Sequence, residues 1–93
     1  MKIRVTMDVA DHHINEVVEG VTAEEIVSIA KSKLAKELGW KGLFLKALSP
    51  LSFAQQAIGQ YNSSSGTQYK IPQSCDEFLN LGQDLGYITF LTD

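Results

Sequence analysis

The chain has 93 residues, 44% of them hydrophobic and 20% charged, with a net charge of −3. That length supports one domain around one core, residues 1–93, and that balance excludes a disordered chain. The acidic charge disfavours nucleic acid as a partner, because phosphate neutralisation supplies most of that affinity, and no run is apolar and long enough to span a membrane.

Residues 1–8 alternate. Met1, Ile3, Val5 and Met7 share one face, and Lys2, Arg4, Thr6 and Asp8 the other. A period of two with one apolar face predicts a strand with one side on a core. The first five residues lack the apolar block of a signal peptide. With Cys75 as the sole cysteine, the expected setting is reducing and cytoplasmic. Residues 9–12 should turn the chain. No Asn-Gly or Asp-Gly marks the turn, so a loop of several residues is expected. Residues 13–21 return as an antiparallel strand. Val17 and Val18 are adjacent there, which suggests a bulge or an early strand end.

The clearest pattern runs over residues 22–40. Thr22 and Glu25 form a capping box, in which the hydroxyl and the carboxylate each satisfy an orphan amide. Ala23, Ile26, Val27, Ala30, Leu34 and Leu38 then recur at steps of three and four, on one stripe of a helix over 23–38. Gly39 stops it. Residues 41–48 fit two patterns. Leu43, Leu45 and Ala47 suit a strand, while Phe44, Leu45 and Leu48 suit a short helix. Gly39 and Gly42 weaken helix nucleation and tilt the reading to strand.

Ser49-Pro50 is a cap followed by a first-turn proline, and predicts a second helix over 50–61. Leu51, Ala54, Ile58 and Tyr61 form its stripe. Phe53 lies opposite, with Gln56 and Gln60. Residues 62–68 (NSSSGTQ) read as a mobile loop. Ser74 and Glu77 make a second capping box, and the third helix runs to about residue 85. Phe78, Leu81 and Leu85 form its stripe, with Cys75 and Gly82 alongside. A glycine there permits close packing. Gly86 caps this helix, and residues 87–91 read as a closing strand. The two boxed helices reuse one capping grammar without forming an internal repeat.

The order is β-β-α-(β)-α-α-β, an α+β domain of two layers. Its small mixed sheet holds the N-terminal hairpin under the helix at 23–38, with the last strand beside the first. In element order alone this resembles the β-grasp arrangement of ubiquitin-like domains.

No residues are assigned to catalysis, a cofactor or a metal. In Asp11-His12-His13, neighbouring side chains on extended backbone point apart, and a closed site needs about four ligands. Ser63-Ser64-Ser65-Gly66 lacks the strand, the Gly-Lys-Ser/Thr and the helix of a phosphate loop. Trp40 follows a cap and should pack back on its helix. Phe53 either marks a binding surface with Gln56 and Gln60, or belongs to a helix buried on two sides. The leading expectation is a non-catalytic module that binds another protein or a second copy of itself. Its candidate binding residues are Phe53, Gln56, Gln60 and Trp40, with exposed sheet edges as a second surface. One alternative is an enzyme or redox protein using Cys75 as nucleophile with His12 or His13 as base. Another is anion or nucleic-acid contact through Lys31, Lys33, Lys36, Lys41 and Lys46, which otherwise form a solvated helix face.

Overall fold

A computed structural model describes residues 1–9, 12–39 and 43–91, and within them the side chains of all but 9, 12, 37, 38, 43 and 44. The elements are β1 (Lys2–Val9), β2 (His12–Glu19), α1 (Ala23–Leu38), α2 (Leu43–Lys46), α3 (Pro50–Ser65), α4 (Cys75–Asp84) and β3 (Ile88–Leu91). The strands form one sheet of order β2-β1-β3, and the helices pack over it and one another. This is the expected α+β domain. Both pairings are antiparallel, so the sheet is not mixed, and the likeness to a β-grasp stays one of element order.

The hairpin is tighter than expected. Pairing runs without a break from Lys2↔Glu19 to Val9↔His12, so residues 10 and 11 alone connect the strands; both lie outside the described residues. There is no bulge at Val17-Val18. Val18 is 2% exposed on the inner face, while Val17, at 41%, sits opposite Arg4 on the outer face. A continuous ladder holds both because an outward valine costs little beside the hydrogen bonds it keeps in register.

All three long helices start as their caps dictate. Thr22, Ser49 and Ser74 accept from the backbone amides of Glu25, Ser52 and Glu77. In the second capping box the Glu77 carboxylate reaches the amide of Gln73, one residue before the cap. Past α4, Gly86 takes φ 88°, Gly86 N–H donates to the Gln83 carbonyl and Tyr87 N–H to the Gly82 carbonyl. That pair of bonds is a Schellman ending, which needs a residue free of Cβ strain.

Two expectations are corrected. Residues 43–46 form the helical turn α2, not a strand; residues 41 and 42 lie outside the described residues. Both sheet edges are built without this segment, and it packs on α1 instead. Residues 62–65, read as loop, are the last turn of α3. Serine and asparagine lower helix propensity by only about 0.5 kcal/mol each, so a neighbouring tether can override them. Asn62 supplies it. Its carboxamide donates to the Tyr69 carbonyl and accepts from Tyr69 N–H and the Thr67 hydroxyl. Gln55 adds a bond to the Pro72 carbonyl at 3.0 Å.

The core lies where the sheet, α1 and α4 meet. Ile3, Val18 and Ile88 come from the sheet, Ala23, Ile26 and Val27 from α1, Cys75 and Leu79 from α4, and Phe53 from α3. Gly82 lets α4 lie on β3. A Cβ there would stand 2.5 Å from Ile88 Cδ1 and 3.0 Å from Cγ1, whereas one at Gly59 would meet nothing within 4 Å. Gly59→Ala should therefore raise the unfolding free energy by about 0.5–1 kcal/mol. Gly82→Ala gains the same propensity term but overpacks by about 1–3 kcal/mol, and should come out destabilised. Paired urea titrations read the difference, and equal shifts would deny the close approach.

Candidate functional site: an apolar cleft between the sheet and helix α3

Helix α3 packs on α1 and α4. It stands across from the sheet with a cleft of about 570 Å³ between them. The geometry follows from strand length. β1 and β2 each span eight residues, and the inner-face positions Ile3 and Val18 lie in the core cluster. Val5, Met7 and Ile14, further along, are part-buried and line the cleft. From α3 come Phe53, Ala57 and Ile58 on the wall, and Gln56 and Gln60 at the exposed margin.

Among the described residues one charged group stands on the inner face of the sheet. Glu16 pairs with Val5 in register, between Ile14 and Val18 on the same side of β2. Lys33 of α1 reaches it at 3.6 Å, and both side chains are about half exposed (45% and 48%). An exposed pair of this kind adds little stability, so its interest is where it stands. On the outer face of the sheet, at the hairpin end, His13 and Asp8 share a 2.8 Å hydrogen bond. At the other margin Tyr61 meets Tyr87 edge-on, ring centres 5.9 Å apart. The Tyr87 phenol is pushed up by its hydrogen bond with Tyr61, then by burial and Tyr61's charge. The cleft thus has apolar walls backed by the packed core residues Ile3, Val18, Val27 and Leu79, and a polar mouth.

Of the candidate binding residues, Gln56 and Gln60 are exposed at this mouth. Phe53 is not a surface aromatic. It is 9% exposed and stacks edge-on against Phe78 at 6.3 Å, so α3 is buried on two sides, and Phe53 meets the cleft from its inner wall. Trp40 lies outside the described residues. Sequence reading missed Glu16, although counting back in twos from Val18 puts it on the apolar face.

The lysines do not converge. Lys31 is 7% exposed and its ammonium donates to the Leu48 carbonyl, tying the turn after α2 to α1. Lys33 serves Glu16, and Lys36 and Lys46 are exposed in the last turns of α1 and α2. Lys41 lies outside the described residues.

Cys75 and His13 sit apart. Cys75 is 1% exposed in the core cluster, while His13 is bonded to Asp8, five residues or about 17 Å along β2 from Val18. The side chain of His12 lies outside the described residues. Burial, then the charges of Glu24 and Asp76, push the Cys75 thiol up, so thiolate is scarce at neutral pH. A raised folded value favours the protonated thiol. Its contribution is whole below the ordinary 9.0 and is lost as pH rises through the folded value. Stability should therefore fall above about pH 9, less steeply in Cys75→Ala, and the thiol should resist alkylation until unfolding. Labelling of the native protein at neutral pH would contradict this burial.

Among the described residues no three His, Cys, Asp or Glu side chains group as a metal site, and no helix is long and apolar enough to cross a membrane. No protein-family model, curated protein or solved structure matches the chain.

Proposed function

We propose that this chain is a non-catalytic binding domain that works through the cleft between its sheet and α3. The observation that carries the reading is the separation of α3 from the inner face over an apolar lining. A domain of this size has little core to spare, and unfilled apolar space is costly to it. A volume of about 570 Å³ falls in the range of small-ligand sites, about 300–1,000 Å³. Apolar walls with a few polar groups at one end are the usual composition of such sites. The buried thiol, away from His13, supports a role without covalent chemistry.

Titration with the neutral, environment-sensitive dye Nile red tests it. A saturable, equimolar rise in emission is expected, with amide shifts at Val5, Met7 and Ala57. Emission that never saturates, or shifts confined to other surfaces, would remove the reading.

A second reading keeps a protein partner. β2 is an edge strand of eight residues whose outer side pairs with no other strand of the sheet. Such an edge can accept another strand. Sedimentation over a wide concentration range tests self-pairing, and a constant monomer mass would end that version.

A further inference from the structure

We infer that β2 pairs with β2 of a second copy of the chain, antiparallel and in one register, with Glu16 facing Glu16 on a twofold axis. The inference rests on the second reading above, the open β2 edge, and adds the occupant and its alignment. The backbone fixes which groups are free. Gly20 N–H donates to the Met1 carbonyl, and Thr6 N–H to the Tyr87 carbonyl. Each bond extends a ladder by one step, so the even positions of β2 turn their N–H and carbonyl to β1. His13, Asn15, Val17 and Glu19 turn theirs outward, and all four side chains are exposed.

Opposed residues of two antiparallel strands must share a face, so a slide by one residue would set inner side chains against outer ones. With Glu16 opposite itself, His13 meets Glu19 and Asn15 meets Val17, and every outward group of both strands is bonded. A slide by two residues either way leaves one of the four unpaired, because β2 runs from His12 to Glu19. The side chains agree with this register. On the inner face Ile14 meets Val18, an apolar cross-strand pair. On the outer face Lys2 stands opposite Glu19, and Asp8 opposite His13, within each chain. Joined, they form the row Lys2, Glu19, His13, Asp8, in which basic and acidic groups alternate across the two copies. Glu16 meets a like charge, but each copy brings Lys33 at 3.6 Å from its own Glu16, so the charges on the axis cancel. A second copy therefore complements this edge along the whole strand.

Sedimentation velocity from micromolar to millimolar concentration, with cysteine cross-linking, tests this. The wild-type chain should pass from monomer to dimer, and Asn15→Pro should raise the dissociation constant at least tenfold. That proline removes an outward N–H on an edge strand, so the unfolding midpoint of the monomer should hold. Under a mild oxidant Glu16→Cys should link to a second copy, since a pair without mutual hydrogen bonds brings its Cβ atoms within about 4.5 Å. Asn15→Cys and Val17→Cys should not link, and would do so only in the registers two residues away. The wild type, whose single thiol is buried, is the blank. A dimer in which Glu16→Cys does not link overturns the register and leaves edge pairing standing. A dimer that Asn15→Pro does not weaken, or a monomer at every concentration, overturns both.

Discussion

Ala57→Trp should cut Nile red affinity at least tenfold while leaving the protein folded. Ala57 lies on α3, part-buried and facing the cleft. An indole there enters space already present, so it need not displace packed neighbours. Small-to-large changes cost about 1–3 kcal/mol where the core is full, and that penalty should be absent here. Buried aromatic area stabilises at about 25 cal/mol per Å², so the unfolding midpoint should hold or rise. The new indole should also emit at shorter wavelength than in water. Urea unfolding and dye titration on the same preparation read all three effects. A variant that folds and binds dye as before would place the dye elsewhere. One that unfolds readily would mean that the space is already filled.

Lys31→Met should destabilise the protein by about 1–3 kcal/mol, the range for a lost hydrogen bond from a charged donor. Methionine keeps the length and apolar stem of the lysine. What it removes is the ammonium that donates to the Leu48 carbonyl. The opposing effect is relief of a largely buried charge with no carboxylate partner among the described residues, which can make such replacements neutral. The bond is expected to win, because Leu48 lies in the short turn between α2 and α3 and this donor ties the turn to α1. Lys31→Ala should cost more, since the buried stem is lost too. Amide exchange at residues 45–49 should quicken in both variants. Unchanged stability in the methionine variant would assign Lys31 a packing role only.

The parts of the fold legible in the sequence are those set by local chemistry. Thr22, Ser49 and Ser74 each name a helix start because a hydroxyl beside free amides acts over one turn. The alternation over residues 1–8 is equally local. The helix end at 62–65 was not legible, because it depends on Asn62 binding Thr67 and Tyr69 after the chain has turned back. The turn at 43–46 depends on α1 as a platform. The place of Lys31 depends on a carbonyl seventeen residues away. The cleft was hidden altogether, since it is a distance between two elements and no residue pattern encodes a gap. Only its margins showed. Gln56 and Gln60 stood out on the polar side of α3, and Glu16 was readable from strand parity.

The central position of β1 also sets an order of assembly. Its β2 side closes through a two-residue connection, an event of about 1–10 μs for a hairpin. Its β3 side pairs Lys2 with Leu91 and Val5 with Ile88, across almost the whole chain. Closure over that separation is slow beside the hairpin. Until β3 arrives, one edge of β1 is bare, and a bare edge templates pairing with another chain. Folding speed and solubility should therefore turn on how fast the four residues of β3 find the first strand. Gly82, by letting α4 lie close on Ile88, helps deliver them.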